Sequence, residues 1–162
     1  MMTQAADGRS DSPLQFGGAT WAKEIAEGTG AHMAEYLGKS EQQKKRAYSP
    51  AVITQGGKTV WLAGQTATTD EQGNDISGNF EAQVKAIFSL LDKTLKQCGG
   101  SLANMVTMTV FIIDPRHGDK FVEMRAGFFP SGNFPASALI TVSNFARPGM
   151  LIEIQGVAVI GG

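Results

Sequence analysis

The chain has 162 residues, with 14 Lys+Arg against 15 Asp+Glu and a net charge of −1. That length suits one packed domain, and the balanced charge offers no general pull toward nucleic acid or an anionic membrane. A single cysteine, Cys98, excludes an intrachain disulfide framework; two histidines, His32 and His117, are too few for a dedicated zinc site; and no apolar run reaches the ~18 residues of a membrane span. The expectation is a soluble, cytoplasmic protein that binds no metal.

Charge is unevenly placed. Residues 1–47 carry twelve of the 29 charges, six of each sign, whereas residues 126–162 carry only Arg147 and Glu153. This divides the chain into an N-terminal extension, 1–47, and a body, 48–162. Residues 1–13 are small and polar and are expected to be disordered. Trp21, Ile25, Met33, Tyr36 and Leu37 suggest one or two short helices interrupted by Gly28 and Gly30, docked through Trp21. The basic triplet Lys44-Lys45-Arg46 reads as a solvated linker.

In the body, Ala51-Val52-Ile53-Thr54 and Thr59-Val60-Trp61-Leu62-Ala63 flank Gln55-Gly56-Gly57-Lys58 and read as a β-hairpin. Residues 70–74 form a second turn. Phe80, Val84, Ile87, Phe88, Leu91 and Leu95 fall on one stripe of an α-helix, which Ser77 or Asn79 can cap and Gly99-Gly100 can end. Val106 to Ile113 alternates as a strand, with Val106, Met108, Val110 and Ile112 toward the helices. A polar turn, 114–119, leads to a helix from about Lys120 to Phe129, ended by Pro130. Two strands follow, Ala138–Ser143 and Leu151–Ile160. The order β-β-α-β-α-β-β implies an α+β fold, a mixed sheet with both helices on one face. Trp61, Thr107, Thr109, Phe111, Leu139 and Thr141 are assigned to the other face, an exposed surface that invites symmetric self-association.

The 20 glycines show neither P-loop nor Rossmann spacing, so they mark turns and strand irregularities and no phosphate loop. Cys98 ends the long helix and reads as packing, while His32 and His117 read as surface residues, with no G-x-S-x-G to support a triad. Glu153 is different. It lies in an otherwise apolar strand, where a carboxylate must be paired, hydrogen-bonded or used. Two readings stay open: a sheet-face carboxylate bonded to a neighbouring Thr or Arg, or a general acid/base raised in pKa by apolar surroundings. Gln155 points to the same side.

From Tyr48 to the C-terminus the sequence resembles the Rid family, the YjgF-like reactive-intermediate deaminases. The matching pieces are Tyr48-Ser49, Ala51-Val52, Leu62-Ala63-Gly64-Gln65, Thr109-Val110-Phe111-Ile112, Gly127-Phe128-Phe129, Phe134-Pro135-Ala136, Ile152-Glu153-Ile154 and Ala158-Val159, together with the Gly73 turn and the helix after it. The resemblance implies a chorismate-mutase-like α+β fold, a homotrimer with clefts between subunits, and cofactor-free hydrolysis of small enamines or imines. It also implies Glu153 and Tyr48 as catalytic residues and Ala63, Gly64 and Gln65 as the cleft strand. One departure matters: imine-hydrolysing members carry P-A-R-S, whereas this chain reads Pro135-Ala136-Ser137-Ala138. Ser137 supplies no charge, and the family's Asn on the second helix is replaced by Val122. Arg125 or Arg147 is left to hold an anionic group, or to serve in a structural ion pair. The resemblance therefore points to an Arg-lacking subgroup acting on a 2-aminomuconate-like enamine or an imino acid. A non-catalytic small-molecule-binding trimer is the alternative, and an endoribonuclease a weaker one, since no basic patch accompanies it.

Overall fold

The computed structural model describes residues 34–161. These residues fall in one compact unit. Its elements, in chain order, are β1 (Ala34–Tyr36), α1 (Glu41–Lys45), β2 (Val52–Thr54), β3 (Lys58–Gln65), α2 (Phe80–Gln97), β4 (Met105–Ile112), α3 (Gly118–Phe128), β5 (Ala136–Thr141) and β6 (Ile152–Ile160), with single 3₁₀ turns before β4 and α3. The main sheet has the order β3-β6-β4-β5. β6 is antiparallel to both neighbours, and β4 and β5 are parallel, so α3 is the crossover that joins them. The mixed α+β layout matches the sequence reading.

α2 forms where the stripe predicts it. Phe80, Val84, Ile87, Phe88, Leu91 and Leu95 are all buried against the sheet. The Asn79 side chain accepts from the Ala82 N–H at 3.1 Å and closes the helix start. At the other end Gly99 has φ +87°, and the Gly100 N–H returns to the Leu95 carbonyl at 2.9 Å. The two helices meet through Phe88, which stacks on Phe128 with centroids 4.0 Å apart and lies edge-on to Phe129. β4 alternates as expected: Met108, Val110 and Ile112 are buried, Thr107, Thr109 and Phe111 only partly so.

Three expectations need correction. β2 pairs antiparallel with β1, Ala34 opposite Thr54, in a separate two-stranded sheet, so the predicted hairpin of β2 with β3 is not formed. Gly56 and Gly57 do take the left-handed conformations of a tight turn, at φ 69° and 75°, but β3 takes its ladder from β6. Tyr36, expected in a helix, lies in β1, while a short helix, α1, carries Lys44 and Lys45. Trp21, Ile25, His32 and Met33 lie outside the described residues. Finally, Leu139 is opposite Val110 and Thr141 opposite Ile112, on the helix side; Leu139 packs on the core. Ala138 and Ile140, opposite Thr109 and Phe111, take their places on the open face. A one-residue error in phase exchanges the two faces of a strand.

Candidate functional site

The predicted site residues fall into two groups on opposite faces of the sheet. The first lies on the open face at the β3–β6 ladder. Leu62 pairs with Gly156 and Gln65 with Ile154, so β3 spends one more residue than β6 across this stretch, and Ala63-Gly64 bulges. The bulge places Gly64 beneath Glu153. A Cβ on Gly64 would collide with Glu153 Oε1 and stand 2.9 Å from its Cδ, so any side chain there would push the carboxylate out of this position. Glu153 is half-buried beside Phe111, and no ion pair among the described residues includes it. Gln65 turns its amide back to the Ala63 carbonyl at 3.4 Å. Trp61, 80% exposed, and Ile140, 43% exposed, extend this face as an apolar surface.

The second group lies at the β5 edge under α3. Ser137 is opposite Met108, on the helix side, and its Oγ accepts from Arg125 Nη1 at 2.7 Å. Arg125 is only 3% exposed, lies 5.2 Å over the Phe121 ring, and donates from Nη2 to the Arg46 carbonyl. Its Nε has no hydrogen-bond partner among the described residues. Burial, with a smaller contribution from the Arg46 charge, lowers the Arg125 pKa to about 10; the nearby Tyr48 hydroxyl works weakly the other way. Residues 46–49 run past this edge. Arg46 pairs with Asp119 at 2.5 Å, Ala47 takes a left-handed φ of 51°, and the Ser49 N–H donates to the Pro135 carbonyl at 3.2 Å. Tyr48 is half-buried between these anchors.

Along β4, the Met108 and Phe111 positions that mark the two groups are about 10 Å apart and face opposite ways. One protomer therefore brings Glu153 to Gly64 and Arg125 to Ser137 and the 46–49 segment, but does not bring the two groups together. Arg147 stands apart from both, exposed beside Thr66, Thr68 and Met150. A surface pocket at the start of α2, lined by Ser77, Lys85, His117 and Lys120, contains none of these residues. His117 stacks on Phe80 there, with ring centroids 4.1 Å apart. No helix among the described residues is long and apolar enough to cross a membrane.

Sequence reasoning missed one residue that shapes the first group. Gln83 is fully buried on the apolar stripe of α2. Its amide donates to the Ile76 carbonyl at 3.1 Å and the Gly149 carbonyl at 2.6 Å, and its carbonyl accepts from the Leu151 N–H at 2.9 Å. These bonds hold the approach to β6 two residues before Glu153. The signal was present: a polar residue three positions after Phe80, inside the stripe.

A family model described as endoribonuclease L-PSP matches residues 39–160. The chain belongs to the Rid/YjgF family. A RutC family protein from Pyrococcus abyssi is 28% identical over 111 residues, covering 68% of this chain and 84% of that protein. Protein DfrA from Myxococcus xanthus is 30% identical over 112 residues, covering 69% and 84%. Among solved structures, a Rid family protein of unknown function from Yersinia pestis superposes with TM-score 0.71 at 21% identity, covering 79% of this chain and 99% of that one. A YjgF family member from Neisseria meningitidis gives TM-score 0.54 at 24% identity, covering 80% and 97%. These two structures agree on the fold, the chorismate-mutase-like α+β arrangement. Within that fold Ser137 lies on β5 and Val122 on α3.

Proposed function

We propose that this Rid/YjgF protein hydrolyses a small reactive enamine or imine, either 2-aminomuconate-like or an imino acid, to a carbonyl compound and ammonia without a cofactor. The observation that carries this reading is the Glu153 carboxylate seated over Gly64 with no ion pair among the described residues. A carboxylate so placed is free to take a proton from water.

An enamine first tautomerises to the imine by protonation at carbon. Water then adds to the imine carbon: a C–O bond forms, the C=N electron pair moves to nitrogen, and Glu153 accepts the proton that water loses. Transfer of that proton to nitrogen gives the carbinolamine; passage of the remaining O–H proton to nitrogen then lets the C–N bond break, and ammonia leaves as the carbonyl forms. The imine carbon is already electrophilic, so positioning and proton management are the demands on the protein. Tyr48, Ala63, Gly64, Gln65, Ser137 and Arg125 are the proposed contacts around the substrate. Because one protomer separates Glu153 from Ser137, the reading includes a homotrimer whose clefts join one subunit's open face to another's β5 edge. The exposed Trp61 and Ile140 supply apolar surface for that assembly.

The test is Glu153→Gln, assayed for ammonia release on a panel of imino acids and aminomuconate analogues; turnover should fall by about 10²–10⁴-fold with the fold intact. Unchanged turnover would overturn the assignment. Ser137 in place of an arginine favours a second reading, a ligand-binding trimer without turnover. Saturable binding across the panel with no ammonia released by the wild type would select it.

A further inference from the structure

Ala47 is the one non-glycine among the described residues with a left-handed backbone, at φ 51°. It sits at a helix end of known type. α1 stops at Arg46, the Ala47 N–H returns to the Lys44 carbonyl at 3.1 Å, and the Tyr48 N–H reaches the Gln43 carbonyl at 3.2 Å. This is the Schellman turn, and its left-handed position normally holds glycine because a Cβ there crowds the backbone. With alanine in that place the turn is not the cheapest conformation of its own sequence, so contacts elsewhere must hold it.

Those contacts come from α3 and the β5 edge. Arg125 donates from Nη2 to the Arg46 carbonyl, one of the carbonyls that the end of α1 leaves without a helical partner. Its Nη1 donates to Ser137 Oγ at 2.7 Å, which fixes the guanidinium on β5. At 3% exposure, water does not compete for either bond. Arg46 also pairs with Asp119, but that pair lies at the surface, where water and salt weaken it. On the far side of Tyr48, the Ser49 N–H and Oγ bond the Pro135 and Phe134 carbonyls. Tyr48 is one residue between two fixed points, and its direction changes only if one of them yields.

We propose that Arg125 is the positioning residue for Tyr48: by capping α1 from α3 it enforces the left-handed turn at Ala47 that sets the direction of Tyr48 at the β5 edge. A guanidinium so deeply buried serves the ligand through the segment it holds. The inference rests on the proposed function, which makes Tyr48 a ligand contact, and it assigns what fixes that contact.

The test uses the full chain and reads amide hydrogen exchange, which needs no ligand. In Arg125→Met the Ala47 and Tyr48 amides should exchange at least about tenfold faster than in the wild type, while the α2 amides from Val84 to Leu95 keep their rates. Adding Ala47→Gly should restore most of the protection, since glycine takes the left-handed turn without help. Ala47→Gly alone should change neither exchange nor turnover by more than about twofold. Should Arg125→Met not fold, Arg125→Lys carries the test, with a rise of about threefold at the same two amides. Turnover adds a cycle on the imino acid of the panel that the wild type hydrolyses fastest. There Arg125→Met should lower kcat/KM about tenfold, and by less than about twofold further in a Tyr48→Ala background. Unchanged exchange at residues 47 and 48 in the arginine variant used, equal acceleration across α2, no rescue by Ala47→Gly, or additive losses with Tyr48→Ala overturns the proposal. Local loss of protection in a protein that releases no ammonia sinks the deaminase reading alone. Unchanged protection with Glu153-dependent turnover intact sinks this inference alone.

Discussion

The two faces of the sheet solve the problem of a charged residue in opposite ways. On the open face Glu153 keeps its carboxylate half in water, and the protein makes room for it by leaving Gly64 without a side chain. Under α3 the cation of Arg125 is almost wholly removed from water, and the protein fastens it to Ser137 and the Arg46 carbonyl. A carboxylate left half in water keeps part of its hydration and is cheap to hold. A buried base is costly, and its orientation is fixed.

Perturbing each face tests that contrast. The largest effect is expected on the open face. Gly64→Ala drives a methyl group into the carboxylate, and turnover should fall about 10²-fold or more with little change in melting temperature, since Gly64 is exposed. Ammonia release and thermal unfolding on the same sample check this; a fully active Gly64→Ala would detach Glu153 from the site.

Next comes the clamp behind that face. Gln83→Leu removes three hydrogen bonds from a buried position and strands the Gly149 and Leu151 backbone groups, so it should cost about 2–4 kcal/mol in urea unfolding. Gly156→Ala should cost about 1–3 kcal/mol by the same assay, because its Cβ meets the Thr107 carbonyl and stands 2.7 Å from Met105 Cε in the middle of the sheet.

Under α3 the expected change in stability is smaller. Arg125→Met exchanges a buried charge for an apolar chain of similar reach, and its unfolding free energy should move by no more than about 1 kcal/mol. A loss well above that would mark the guanidinium as a support of the whole fold and not of residues 46–49 alone.

The smallest effect concerns acid. Lys96, together with the Leu102 N–H, holds the Asp92 carboxyl below the usual carboxylate range. A carboxyl with a lowered folded pKa contributes stability above its unfolded value, about 3.9, and loses it as pH falls through the folded value. Asp92→Asn should therefore flatten the stability curve slightly below pH 4 and leave it unchanged in shape above pH 5.

Much of the architecture could be read along the chain because it is set by local pattern. The α2 stripe, its Asn79 cap and its glycine stop all agree, and burial on one side of β4 follows from strict alternation. Glu153 was visible because the last 37 residues hold only one other charge. Its seat over Gly64 was harder, since a bulge depends on how two strands distant in sequence fall into register. The hairpin of β2 with β3 failed for a related reason. Gly56-Gly57 permits a tight turn, but turn chemistry does not say which strand edge will meet which, and β2 met β1.

The sequence by itself determined the fold class, the two helices over a mixed sheet, the carboxylate strand and the family, all consequences of periodicity and of short motifs kept in order. Tertiary structure alone decided that Leu139 turns inward and Ile140 outward, that Glu153 and Ser137 lie on opposite faces, and that Arg125 is buried against Ser137. Those outcomes depend on register and on contacts across the fold: a shift of one residue reverses a face, and a charge has a partner or lacks one only after the chain has closed around it.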